Sequence, residues 1–362
     1  MRPQSASSNM TCAEANADEY ERVAPIDRLP KWLLCMPLVA QWLWLGLKYR
    51  SFTLPSALNP QIETGGLVGE SKLAYLSRID PTFARCVART AAVSAGGDAE
   101  AVRRQLDLSY PLIAKPDVGW CGYGVRRIDN ALELNAYATA FPKPEQFLIQ
   151  ELIGGAHEAG ILYVRRPGEA SGRVEAMTIR HSPHVVGDGR LSVSDLIARS
   201  PRMARKSAVY VRCMSAQEAL RVPSRGERVA LTTVASARVG GRYEDATALV
   251  TPALDRIVDG ISRSMGEFHY GRYDVKFDSL QRLRDGHFVI IEVNGAGSEA
   301  IQFWDSRLSL GLAFRGVFRK QRELFALADI MRERGFRPIS VFALASAFMR
   351  QRRLIKRYAP SN

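Results

Sequence analysis

Residues 287–299 read HFVIIEVNGAGSE. Four apolar residues lead to Glu292, Asn294 follows two positions on, and the chain then breaks into glycines. Side chains alternate faces along a strand. An unbroken alternation puts Phe288, Ile290, Glu292 and Asn294 on one face, with Val289, Ile291 and Val293 on the other. The second face is plain core. The first changes from apolar to oxygen-bearing at the strand's C-terminal end. A buried carboxylate needs a cation, hydrogen-bond donors or a metal. Mg²⁺ takes oxygen ligands from one or two carboxylates, completed by water and substrate phosphates. The structural alternative is a strand-end carboxylate that is solvated or paired with arginine.

Just upstream lies GRYDVKFDS (271–279), joined to this strand by LQRLRDG. The two runs read as a hairpin-like pair, which places Asp274 opposite Glu292. Facing carboxylates repel unless a cation lies between them. Asp274, Glu292 and Asn294 therefore read as an oxygen-only site for one or two Mg²⁺ ions, or Mn²⁺ in their place, with Arg272 as the competing partner of Asp274.

Two further stretches bear on this strand pair. In IAKPDVGWCGYGV (113–125) a strand delivers Lys115 into a loop with Gly119, Gly122 and Gly124. Glycines let main-chain N–H groups approach phosphate oxygens, and the lysine adds charge. The loop lacks the GK[ST] of a Walker A motif, and no βαβ unit follows it as a Rossmann fingerprint requires. A glycine-rich turn with a surface lysine is the alternative. In FLIQELIGGAHEAG (147–160) an apolar strand leads to a polar linker and Glu158, a combination that can cover a flat base and bind ribose hydroxyls.

Composition sets the frame. The 362 residues carry a net charge of +13, with 46% hydrophobic and 24% charged residues. This describes a folded protein of two domains or several lobes, suited to an anionic partner. Residues 331–358 hold eight Lys/Arg against one Glu, so much of the excess belongs to the C-terminal tail. The five cysteines (Cys12, Cys35, Cys86, Cys121, Cys213) include no CxxC pair, which reads as reduced thiols in a cytoplasmic protein. No nucleic-acid module is recognisable, and no nucleic-acid partner is expected. The first residues are polar and read as a disordered start. Residues 32–47, WLLCMPLVAQWLWLGL, are the most apolar run, flanked by Lys31, Lys48 and Arg50. It is short for a membrane span, which needs ~20 residues. A helix packed on its own core and a helix lying at a membrane interface both remain open. The tail, FALASAFMRQRRLIKRY, likewise packs on its own domain or meets anionic lipid.

Strand and helix patterns alternate through the rest, with helices expected at 71–78, 129–140, 252–268, 317–335 and 340–358. The expected class is α+β with mainly antiparallel sheets. The chain divides into a disordered start and Trp-rich helix (1–65), a first lobe with the phosphate loop (66–150), a second lobe with the metal site (151–310) and basic C-terminal helices (311–362).

The order of these motifs resembles the ATP-grasp ligases, most closely the D-alanine–D-alanine ligase type. AKPDVGWCGYGV resembles the phosphate-loop strand of that family, FLIQELI…HE its adenine hinge and ribose carboxylate, and GRYDV…IIEVNGAGS its Mg²⁺ and phosphate strands. VVGDGRLSVSDLI is similar to a segment of ATP-grasp ligases such as cyanophycin synthetases. SKLAYL resembles the helix that supplies a second nucleotide lysine. The match covers about residues 70–305 and implies two α+β lobes gripping ATP. It implies that Lys72 and Lys115 hold phosphates with the Gly119, Gly122 and Gly124 loop as lid. Glu151 and Ile153 would meet adenine through main chain, and Glu158 would hold ribose. Asp274, Glu292 and Asn294 would ligate Mg²⁺. Arg272 would steady the transferred phosphoryl group, with Gly297 and Ser298 placing main-chain donors near the reacting carboxylate. The implied activity joins a small-molecule carboxylate to an amine through an acyl phosphate. The alternative is a nucleotide-binding regulatory protein without turnover, or a membrane-surface protein. The full α/β domain that precedes the lobes in those ligases is replaced here by a short Trp-rich stretch, so D-alanine specificity does not carry over.

Overall fold

The structure is a computed structural model and describes residues 29–155 and 157–361. The expected disordered start lies outside the described residues for positions 1–28. Two antiparallel sheets organise the chain, as the α+β expectation requires. The first contains β1 (Thr90–Ser94), β2 (Leu112–Pro116), β3 (Arg126–Ile128) and β4 (Gln146–Glu151), in the order β1-β4-β2-β3. The second contains β5 (His157–Val164), β6 (Arg173–His181), β9 (Arg242–Asp245), β10 (Tyr270–Phe277) and β11 (Val289–Asn294), in the order β11-β10-β5-β6-β9. A small ribbon pairs β7 (His184–Val186) with β8 (Arg228–Ala230).

Alternation in β2 and β4 decides what the first sheet buries. Leu112, Ala114, Phe147 and Ile149 pack under α3 (Ala99–Gln105) and α4 (Ala131–Ala140), joined by Leu134, Tyr137 and Phe141. The intervening Ile113, Lys115 and Gln150 line a cleft instead. Both helices start on an Asx cap, Asp98 accepting from Ala101 N and Asn130 from Glu133 N.

The second sheet has two covered faces. On one, Ala159, Ile161, Met177, Ile179, Tyr273 and Val275 pack against α8 (Pro252–Ser264) and against α2 (Lys72–Leu76), α8 contributing Leu254, Val258 and Ile261. The helix expected over 252–268 is α8, and this is its buried face. On the other, Leu162, Val164, Ala176 and Tyr270 lie under α1 (Lys31–Lys48) and α10 (Leu310–Glu333), and this core covers only one end of the sheet. The other end of the same face carries Glu158, Arg180, Arg272, Asp274 and Lys276 and opens into the cleft. α11 (Val341–Ile355) follows α10. α5 (Val193–Arg199), α6 (Ser207–Cys213) and α7 (Ala216–Leu220) form an outlying cluster with the β7–β8 ribbon.

The strand pair that opened the sequence differs from a plain hairpin in two ways. Its connection contains a short helix, α9 (Leu280–Arg284), capped by Ser279. Its register shifts between Asp274 and Val275, so that Asp274 faces Glu292 while Val275 faces Ile290, leaving Ile291 as the extra residue. A bulge breaks the alternation. Ile290 and Phe288 therefore pack in the core beside Val293, not on the face of Glu292 and Asn294, which line the cleft with Ile291.

Candidate functional site

The cleft between the two sheets holds about 380 Å³, within the range of cofactor and ligand sites. Its first-sheet wall carries Lys115, whose Nζ donates to Gln150 Oε1 at 2.9 Å and to Ile291 O at 2.7 Å. Burial pulls its pKa down to about 8. Lys72 enters from α2. Its Nζ donates to Gly119 O at 3.2 Å and lies 3.6 Å from Glu292 Oε1. Asp117, two residues after Lys115, sets this geometry. It accepts from Ser71 Oγ at 2.9 Å and Leu73 N at 3.0 Å through one carboxylate oxygen, and from Gln146 Nε2 at 2.7 Å through the other. The start of α2 is thereby tied to the strand that carries Lys115.

The second-sheet wall is a lattice of charge. The register puts Asp274 opposite Glu292 and Arg272 opposite Asn294. Arg272 Nε lies 2.7 Å from Asp274 Oδ1, the competing pairing weighed from sequence. Arg180 lies 2.8 Å from both Asp274 Oδ2 and Glu158 Oε1, and Lys276 Nζ lies 3.2 Å from Glu158 Oε2. Burial pushes the Asp274 carboxyl up, but Arg272 and Arg180 outweigh it and hold it below the usual carboxylate range. Glu70, also on the cleft, is raised by burial, with nearby Lys72 opposing and Glu292 adding to the shift. Gly160 makes room for this lattice. A Cβ there would lie 2.7 Å from Ile301 Cδ1 and 3.1 Å from Arg272 Cδ.

The glycine loop borders the cleft. Cys121, Gly122 and Gly124 have φ of 50°, 71° and 75°, the left-handed region that suits glycine. Arg238 Nε donates to Cys121 O at 2.9 Å and its guanidinium stacks 4.3 Å from the Tyr123 ring centroid. The tail adds two ties: Tyr358 Oη donates to Val118 O at 2.6 Å and Ser361 Oγ to Gly122 O at 2.5 Å. The loop is thus fastened to Arg238 and to the residues after α11.

The remaining expected residues fall as follows. The Glu151 carboxylate binds Arg89 Nε at 2.8 Å, and the residue lines the cleft beside Leu152 and Ile153. Gly297 and Ser298 line the cleft too, but their main-chain N–H groups are engaged, donating to Gly66 O at 2.7 Å and Gly295 O at 2.9 Å. The expected main-chain donors are therefore spent in holding the turn. Two buried side-chain groups in the same turn, Asn294 Nδ2 and Ser298 Oγ, have no hydrogen-bond partner. Among the described residues, no three His, Cys, Asp or Glu side chains converge as a metal cage. The donor set still fits a hard cation in its chemistry: Glu292 and Asn294 both face the cleft, and Asp274 stands in register with Glu292. Arg180, Lys276, Gln150, Asp117 and Glu70 were missed by sequence reasoning; only Asp117, adjoining the AKP run, carried a local signal.

No family model and no curated protein matches the sequence. The chain is similar to several solved structures. A bifunctional glutathione synthetase from Pasteurella multocida is 16% identical with a TM-score of 0.35, covering 69% of this chain and 36% of its own. The chain thus spans about a third of that protein. A D-alanine–D-alanine ligase from Bacillus anthracis is 13% identical with a TM-score of 0.42, covering 75% of this chain and 71% of its own. The VanG D-Ala:D-Ser ligase from Enterococcus faecalis is 14% identical with a TM-score of 0.39, covering 73% and 63% respectively.

Proposed function

We propose that the chain is an ATP-dependent ligase that activates a carboxylate as an acyl phosphate and joins it to an amine. One observation carries this reading. Lys72 and Lys115 on the first-sheet side and Arg180, Arg272 and Lys276 on the second-sheet side bring five cations to one cleft, interleaved with Glu158, Asp274 and Glu292, while Glu70, Glu151 and Glu299 also line it. Cations brought in from both walls suit a polyanion whose charge shifts during reaction.

In this reading Lys72 and Lys115 hold the phosphates from the first sheet, while Glu158 receives ribose hydroxyls. The acid's carboxylate oxygen attacks the γ-phosphorus, the bond to the β-bridging oxygen breaks, and ADP leaves. Arg272 faces the charge that develops, and the unpaired Asn294 Nδ2 and Ser298 Oγ supply donors at the acyl end. The amine nitrogen then attacks the acyl carbon, the carbon–oxygen bond to phosphate breaks, inorganic phosphate leaves and the amine gives up a proton. Glu292 and Asn294, with Asp274 after release of a guanidinium, would hold Mg²⁺ or Mn²⁺, which when bound supplies charge neutralisation on the phosphates. Closure of the glycine loop keeps water from the acyl phosphate.

The two guanidiniums on Asp274 favour a second reading, a nucleotide-binding protein without turnover. Purified chain with Mg²⁺-ATP and pooled acids and amines distinguishes them: the ligase releases ADP and phosphate only when both substrates are present, and Glu292→Gln lowers that turnover by roughly a hundredfold or more. ATP binding with no substrate-dependent ADP release from any pool supports the second reading.

A further inference from the structure

α1 is apolar on every side, and only one side of it is used. Its inner stripe packs on α10: Gln321 Nε2 donates to Leu38 O at 3.2 Å, the Trp42 ring meets Phe325 edge-on at 5.0 Å, and Arg332 donates to Tyr49 O at 2.7 Å. These three contacts rise in the same order along both helices, so α1 and α10 run side by side in the same direction. The outer stripe is bare. Trp32 is 65% exposed, Met36 58%, Val39 54%, Leu43 50%, Trp44 54% and Leu47 69%. Their spacing follows the helical repeat, so they form one strip along a helix of about 27 Å. Soluble monomers seldom leave a contiguous apolar patch of this kind uncovered.

The charge around the strip selects what covers it. α1 contains no acidic residue. Lys48 and Arg50 stand at its C-terminal end, and the Lys48 ammonium lies 5.5 Å over the Trp44 ring. At about 100° per residue, Arg315, Arg319 and Arg322 share the solvent-facing stripe of α10 next to the stripe that meets α1. All three are exposed. A second copy seated antiparallel on this face, with the two-fold axis crossing α1, would bring arginines against arginines. An apolar strip with tryptophans towards both ends, Lys48 and Arg50 at its C-terminal end and three arginines beside it matches the boundary of an anionic bilayer; Asp329, paired with Arg332, and Glu333 continue the arginine stripe only in the last turns of α10. No helix among the described residues is long and apolar enough to cross a membrane, so the element lies along the surface.

We propose that α1, with the arginine stripe of α10, docks the chain flat on an anionic lipid surface. The proposal is independent of what the cleft does. Flotation of the full chain with phosphatidylcholine vesicles, and with vesicles containing about one-third phosphatidylglycerol, tests it. We expect at least roughly tenfold more bound chain on the anionic vesicles, less of it as salt rises, and a blue shift of tryptophan emission on binding. Trp32→Ser, Trp44→Ser and Leu47→Ser together lower the bound fraction about tenfold while leaving the circular dichroism and melting temperature unchanged. Arg315→Glu, Arg319→Glu and Arg322→Glu together do the same without touching an apolar residue. The proposal falls if the full chain does not float with anionic vesicles or if both triple variants bind like the parent. It falls equally if the parent sediments as a dimer that the serine variant loses, since a second copy then covers the strip.

Discussion

Lys115 shows how a single side chain reports the state of the cleft. Its pKa of about 8 is set mainly by burial, against the ordinary lysine value of 10.5. Between those two pH values the unfolded lysine holds a proton that the native one has released. Stability of the ligand-free protein should therefore rise with pH across that window, by up to about 3 kcal/mol at 1.36 kcal/mol per unit. Denaturant melts at pH 8 and pH 10 measure it as the difference from Lys115→Met, which keeps the rise due to Lys320, likewise pulled down to about 8 by burial. A bound phosphate favours the ammonium, so ATP affinity should fall as pH rises through 8, and calorimetric titration of the same variant should lose that slope. Asp117→Ala removes three hydrogen bonds at once and loosens the start of α2 that carries Lys72, leaving the main-chain bond from Lys72 N to residue 117 O; we expect about 1–3 kcal/mol of destabilisation and a weaker ATP affinity. At this scale the meeting of Lys115, Glu158, Glu292 and Asn294 on one cleft was legible because each sits in a short run whose chemistry is local, while Lys72 entered only through the family resemblance. Arg180 was not: in MTIRHS it reads like any strand arginine, and its role comes from two carboxylates on two other strands.

Among the elements, the bulge at Ile291 is decisive. It turns Ile290 into the core while presenting Ile291 O to Lys115, which joins the two sheets across the cleft. Nothing in HFVIIEVN announces it, because a one-residue slip leaves composition and hydrophobicity unchanged. The strands and long helices were legible from periodicity. Residues 201–250 were not, since α6 and α7 are only 7 and 5 residues long and β8 is 3. Segments so short are placed by caps and neighbours, such as Ser215 at the start of α7. Gly160 tests how strand and site share space. Gly160→Ala should cost about 1–3 kcal/mol by crowding Ile301 and should displace Arg272, so turnover falls further than the shift in melting temperature accounts for. A variant with unchanged turnover would show that Arg272 does not depend on this close approach.

Across the whole molecule, one sheet serves two cores and one cleft. The face that carries Arg272 and Asp274 runs on under α10, where Tyr270, Leu162 and Phe325 are buried. Phe325→Ala removes the ring that Trp42 and Tyr49 both meet, and should destabilise by about 3–5 kcal/mol in chemical melts, loosening α1 along with α10. That continuity of core into site was not visible in the sequence, because α1 and the strands it helps cover lie far apart in the chain. The ties from Tyr358 and Ser361 to the glycine loop carry a kinetic consequence. Those bonds hold the loop that borders the cleft, so its release, rather than bond-making inside, would set the pace of a working cycle. Rapid-quench measurements on the proposed ligase should then show a first turnover faster than all later ones, and Tyr358→Phe with Ser361→Ala should erase the difference.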